Sequence, residues 1–207
     1  MQNRYDAIIC DLGNVLINFD HCIAVKKILH YTIKEEKDIY NLFFDSPLTG
    51  LYEEGKISSA EFFSRVKESL KLDIDYKSFL PIWNDIFFEC PLNIKMHNLL
   101  RCIKGKYKLI MISNINQTHF EFLNEKMDIL KDFDKLVLSY EVGYRKPAPE
   151  IYKVALESID VLPSKSLYID DRQDLIDRAS KMGIRGIVFD SESAFEKLLK
   201  ELAVEVT

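Results

Sequence analysis

The chain has 207 residues, 47% of them hydrophobic, and carries 33 acidic against 28 basic side chains for a formal net charge of -5. This is enough chain for one full-sized core with a smaller appendage. No stretch is a block of one charge sign, which argues against nucleic acid as a partner, and no apolar run approaches the ~18 residues of a membrane helix.

The first predicted element is the apolar run Ile8-Ile9-Cys10, a strand buried on both faces that stops at Asp11. Ligands of parallel α/β sheets gather at the carboxyl ends of the strands, so Asp11 stands where chemistry is done. An Asp in this place also serves as a helix cap or turn former. From His21 to about Cys90 the apolar residues recur at helical spacing. The groups are Ile23, Ile28 and Leu29; Ile39, Leu42 and Phe43; Phe62, Phe63, Val66 and Leu70; and Phe79, Ile82, Trp83 and Ile86. This pattern predicts four helices and no strand. Ser58-Ser-Ala-Glu61 has the spacing of a capping box, and Pro47, Gly50 and Gly55 punctuate the connection before it. Trp83, Phe87 and Phe88 read as packing of this bundle.

From Pro91 the rhythm changes to alternating strands and helices. Met96, Leu99, Leu100 and Ile103 share one helical face; a strand over 107–112, a helix over 117–127 and a strand over 136–139 follow. Pro149 opens the next helix from its first turn. A strand over 166–169 leads to the helical stripe Leu175, Ala179, Met182, which Gly183 ends, and a strand over 184–189 and a helix over 194–202 complete the chain. Such alternation predicts a parallel sheet covered on both faces by right-handed crossovers. The domain expectation is a core of residues 1–18 and 91–207, with residues 19–90 inserted after the first strand. Cys10, Cys22, Cys90 and Cys102 lie far apart without metal-site spacing, and the start Met1-Gln-Asn-Arg-Tyr-Asp6 lacks the apolar stretch of a signal peptide. A soluble cytoplasmic protein with free thiols is expected, with no membrane partner.

Three later runs end in polar residues as the first does: Lys108-Leu-Ile-Met-Ile-Ser-Asn114, Ser139-Tyr-Glu-Val-Gly-Tyr-Arg-Lys-Pro147 and Ser166-Leu-Tyr-Ile-Asp-Asp171. With Asp6-Ala-Ile-Ile-Cys-Asp-Leu-Gly-Asn-Val-Leu16 this set resembles the four signature motifs of the haloacid dehalogenase superfamily, over about residues 8–188. The resemblance implies a Rossmann-like core with an all-helical cap, and a magnesium-dependent phosphatase acting on a small phosphorylated metabolite. By the motif positions Asp11 is the nucleophile that forms an aspartyl phosphate, and Lys146 shields its charge. Ser113 and Asn114 hold the phosphoryl oxygens. Magnesium falls to Asp11, Asp171 and the carbonyl of Gly13, with Asp170 a ligand or a residue behind the ligands. Two adjacent carboxylates at a buried strand end call for a cation on physical grounds as well. His119 falls on the helix after the second motif and is read as structural.

Two positions depart from the family pattern. Most members carry an acid-base Asp two residues after the nucleophile; here that place is Gly13, which keeps a carbonyl but offers no proton, help typically worth ~10²–10⁴ in rate. A leaving group that needs little protonation would explain this, as in an anomeric sugar phosphate, an acyl phosphate or an aryl phosphate. So would a donor among Asp20, His21, Glu53 and Glu54. Leu175 stands where Asp or Asn is frequent and is expected in the core, with Asp174 one residue away. The runs Asp11-Leu-Gly-Asn-Val-Leu16, Tyr52-Glu-Glu-Gly-Lys-Ile-Ser58, Ser113-Asn-Ile-Asn116 and Arg145-Lys-Pro-Ala-Pro149 resemble the subgroup of α-D-glucose-1-phosphate phosphatases, which favours a sugar phosphate. The alternatives are a dehalogenase, which needs no second Asp, and a non-catalytic binding protein on the same scaffold.

Overall fold

A computed structural model describes residues 4–204. Its centre is a five-stranded parallel sheet of β1 (Ala7–Cys10), β4 (Lys108–Ser113), β5 (Lys135–Leu138), β6 (Ser166–Asp170) and β7 (Arg185–Val188), in the order β5-β4-β1-β6-β7. β1 is central, pairing Ile9 with Ile110 on one side and with Tyr168 on the other. Its four residues are all buried, because helices cover both faces of the sheet. Ile8 and Cys10 point into one core layer with α6 (Pro91–Ile103) and α11 (Glu192–Leu202). Ala7 and Ile9 point into the other, with α9 (Pro149–Glu157) and α10 (Gln173–Ser180). The period-two alternation of a strand thus divides one short run between two cores.

After β1 the chain forms β2 (Asn18–Phe19), which pairs antiparallel with β3 (Phe87–Phe88). Between these two strands lie α1 (His21–Ile28), α2 (Glu36–Phe44), α3 (Pro47–Glu53), α4 (Ser59–Leu70) and α5 (Tyr76–Asn84). They enclose a separate apolar cluster that includes Val25, Ile28, Phe43, Phe62, Val66, Phe79 and Trp83. Among the described residues no helix is long and apolar enough to cross a membrane.

The structure corrects the four-helix, no-strand expectation for this segment in two places. Residues 47–53, read as punctuation, form a helix: Pro47 occupies the first turn, where its missing N–H costs nothing, and the Ser46 hydroxyl caps it by accepting from Thr49 N. Phe87 and Phe88 belong to a two-residue strand rather than to the bundle, and Phe88 is 46% exposed. So short a ribbon leaves no periodic trace, and its partner lies some seventy positions away.

Two glycines between β2 and β3 let this helical segment approach the rest of the chain. Gly55 has φ +64°, and a Cβ there would lie 2.0 Å from the carbonyl oxygen of Tyr140. Gly50 lies inside α3, where a Cβ would meet the Arg145 guanidinium at 3.3 Å. Hydrogen bonds join the same surfaces: Arg145 to Glu53 at 2.6 Å, Tyr52 Oη with Thr118 Oγ1 at 3.0 Å, and His119 Nε2 with the Trp83 carbonyl at 2.9 Å.

Candidate active site

The carboxyl ends of β1, β4 and β6 converge on Asp11, Ser113 and Asp170. The loop after β1 is pinned from α6, where Asn93 donates to the Val15 carbonyl at 3.1 Å and His97 Nε2 meets the Leu16 carbonyl at 2.7 Å. Asn14 has φ 55°, a left-handed conformation that Asn tolerates, and its amide donates to Asp171 Oδ2 at 2.8 Å. Asp11 Oδ1 accepts from Leu12 N at 2.7 Å and pairs with Lys146 Nζ at 2.8 Å. Among the described residues, no protein donor reaches Asp11 Oδ2.

Lys146 is 5% exposed and bridges two carboxylates, with Asp170 Oδ2 at 2.8 Å on its other side. Burial alone would lower the ammonium pKa, but the charges of Asp11 and Asp170 outweigh it and hold Lys146 above the ordinary lysine range. Asn114 aims the loop: its amide nitrogen donates to the Lys146 carbonyl at 2.9 Å and its oxygen accepts from Lys146 N at 2.7 Å. The side chain of Asn114 is therefore engaged with the Lys146 backbone. The Ser113 hydroxyl has no protein partner among the described residues and borders the cavity.

Asp170 is fully buried and both its oxygens are occupied: Oδ2 by Lys146 and the Tyr168 hydroxyl, Oδ1 by Arg172 N at 2.9 Å. Among the described residues, Asp171 accepts from Asn14 on Oδ2 and keeps its other side-chain oxygen free of side-chain donors. Oxygens of Asp11, Asp170 and Asp171 lie within 4.8 Å of one another, with one buried ammonium among them. Burial pushes Asp11 up to about 7, opposed by Lys146 and reinforced by Asp170, and burial raises Asp171 as well. Hard carboxylate oxygens, crowded and under-neutralised, are the donor set of a small divalent cation such as magnesium.

Asp11, Ser113, Asn114, Lys146 and Asp171 form the floor of a cavity of about 300 Å³, with Asp170 buried beneath them, and the farther wall comes from Phe19, His21, Phe44, Ile86, Phe87 and His119. Glu53 and Arg145 close one side. Of the proton donors considered from sequence, His21 and Glu53 border the cavity. Asp20 caps α1 by accepting from Cys22 N, and Glu54 is paired with Lys56 at 2.6 Å. Leu175 is buried in the core as expected and borders the cavity too, while Asp174 faces outward in a pair with Arg172 at 2.8 Å. His119, read as structural, reaches the cavity wall, but Asn116 and Trp83 occupy both of its ring nitrogens. The aromatic wall and Arg145 were missed from sequence. Only Arg145 left a signal, beside Lys146 in the third motif.

The match to the haloacid dehalogenase-like hydrolase family spans residues 5–183, and the chain belongs to that family. It is 26% identical over 182 residues to the D-ribitol-5-phosphate phosphatase of Bacteroides thetaiotaomicron, covering 85% of this chain and 87% of that protein. It is 24% identical to a sesquiterpene phosphatase of Aspergillus oryzae, covering 90% and 91%. A haloacid dehalogenase family enzyme of B. thetaiotaomicron, solved with magnesium and inorganic phosphate, superposes with a TM-score of 0.79 at 27% identity over 92% of this chain and 98% of that one.

Proposed function

We propose that the chain is a magnesium-dependent phosphatase that hydrolyses a small phosphomonoester through an aspartyl phosphate on Asp11. The observation that carries this reading is the asymmetry of Asp11, whose Oδ1 is held by Leu12 N and Lys146 while Oδ2 is free beside the acidic cluster. The named activities of the relatives, both phosphatases, point the same way. Asp11, Asp171 and the Gly13 carbonyl would hold the cation, and Asp170, with both oxygens spent on protein donors, orients Lys146. When bound, magnesium neutralises charge on the phosphoryl oxygens and on the carboxylate that attacks.

Asp11 Oδ2 attacks phosphorus, and the bond from phosphorus to the leaving oxygen breaks. Water then attacks the aspartyl phosphate, releases inorganic phosphate and restores the carboxylate. Lys146 and the Ser113 hydroxyl stabilise the charge on the transferring group. Residues 19–90 act as a cap that excludes water over a core of residues 1–18 and 91–207. A sugar phosphate suits the cavity, and an anomeric one suits Gly13, because its leaving group departs with little protonation. Four free thiols fit a cytoplasmic setting.

A panel of phosphorylated metabolites assayed for phosphate release, with magnesium and with chelator, tests the proposal. Turnover that requires magnesium and falls on the order of 10⁴-fold or more in Asp11→Asn is expected. An active Asp11→Asn protein overturns the nucleophile, and halide release without magnesium would favour a dehalogenase instead.

A further inference from the structure

The far wall of the cavity is mostly apolar, with two histidines as exceptions. The His21 ring stacks on Phe44 with centroids 3.5 Å apart and planes 2° from parallel, and Phe19 lies 4.9 Å from it. Tyr40 adds an edge contact at 6.4 Å. These rings fix the plane of the imidazole, yet among the described residues neither ring nitrogen meets a protein partner. His119 provides the contrast, because both of its nitrogens are consumed within the protein. A held ring with an unspent donor and acceptor, bordering the cavity that contains Asp11, is built to meet a ligand.

We propose that His21 is a specificity-determining residue, its imidazole edge hydrogen-bonding a hydroxyl of the leaving group, so that the substrates are phosphates of polyhydroxylated carbon skeletons rather than of aryl or prenyl groups. This rests on the phosphatase reading and narrows it. The aromatic rings meet the C–H faces of such a group, and His21 reads its hydroxyls. A polar group left without a partner in a closed site costs affinity, which is how a hydrogen-bonding wall rejects an apolar analogue of the same shape. Burial pulls His21 down to about 4, against the charges of Asp20 and Asp45, so the ring is neutral and offers both a donor and an acceptor.

The test is a pair of esters, glucose 1-phosphate and phenyl phosphate, both with a six-membered ring and both with a leaving oxygen that departs with little protonation. The wild-type protein is expected to favour the hydroxylated ester at least tenfold in kcat/KM. His21→Phe keeps the stack and should shrink that preference about tenfold through KM, and His21→Gln, which restores a donor and an acceptor, should recover part of it. Equal use of the two esters by the wild-type protein, or an unchanged ratio in a folded His21→Phe, overturns the assignment. Absence of phosphate release from every ester in the wider panel instead overturns the phosphatase reading itself.

Discussion

The floor of the cavity is made from the carboxyl ends of β1, β4 and β6, whereas its far wall is made from β2, α1, α2 and β3. On the floor the groups are cross-linked, Lys146 to Asp11 and Asp170, Asn114 to the Lys146 backbone at both ends, and Asp170 beneath them to Tyr168 and Arg172, which among the described residues leaves Asp11 Oδ2, one Asp171 oxygen and the Ser113 hydroxyl for a ligand. On the wall, stacked rings supply shape, and among the described residues only His21 keeps both ring nitrogens free. The difference separates chemistry from selection. A floor so cross-linked holds charges at fixed distances, as stabilising a phosphoryl group requires, while ring packing tolerates changes that alter which leaving group fits.

The largest expected effect is on the floor. Lys146→Met fills the same volume but leaves Asp11 and Asp170 without their shared cation, and breaking a buried ion pair in this way costs about 3–5 kcal/mol. The sign with pH follows from the carboxylates. Asp11 already stands at about 7 through burial, so in the variant the native state takes up protons more readily still. The loss should therefore be greater at pH 8 than at pH 6 in urea titrations. A loss under about 1 kcal/mol at pH 8 would mean that the floor is not held by its charges.

How much of this was legible follows the same division. Asp11, Ser113, Lys146 and Asp171 each end an apolar run or sit in a motif with Gly and Pro, and their resemblance as a set to the family's motifs is what grouped them. Asp170 was seen as an acidic neighbour, but its bonds to Tyr168 and Arg172 are choices between adjacent rotamers that no spacing reveals. Phe19, Phe44 and Phe87 read as ordinary apolar residues, because the periodicity of a short helix or a two-residue strand does not say which ring turns toward a cavity. His21 was one of four candidate donors, and only the cap at Asp20 and the pairs at Glu53 and Glu54 separate it from the others.

A smaller effect joins floor and wall at His119. Asn116 Oδ1 accepts from His119 N and from the Thr118 hydroxyl, so its Nδ2 faces His119 Nδ1, and the Nε2–H donates to the Trp83 carbonyl. The ring is thus held neutral, and burial pulls it down to about 3. A histidine depressed in the native state binds its proton only on unfolding, so stability falls as pH drops below the unfolded value of about 6.5. By pH 5 the contribution is about 2 kcal/mol lower than at neutral pH. Asp11 works in the opposite sense over about pH 4–7, since its raised pKa favours the native state there. The comparison of His119→Gln with wild type, both in an Asp11→Asn background, isolates the histidine. Thermal melts from pH 7.5 to 5 should decline less in His119→Gln, and parallel curves would remove the titration from this contact.

The smallest quantity to be read, a coupling energy, concerns the place where floor and wall meet. A Cβ on Gly13 would lie 2.8 Å from Phe19 Cε1, so the position that holds the acid-base Asp elsewhere in the family is blocked here by a ring of the wall. Restoring the carboxylate as Gly13→Asp should therefore not raise activity and should cost about 1–3 kcal/mol, the usual penalty of overpacking. Phe19→Leu trims the obstruction, and in Gly13→Asp/Phe19→Leu part of that cost should return, with a coupling of at least about 0.5 kcal/mol in a double-mutant cycle. The same cycle run on kcat separates two causes of the missing acid. If the double variant gains turnover on esters with strongly basic leaving groups, the ring was what excluded proton donation. Additive energies and no gain would mean that Phe19 merely lies near Gly13, and that leaving groups here depart without an acid for reasons of their own chemistry.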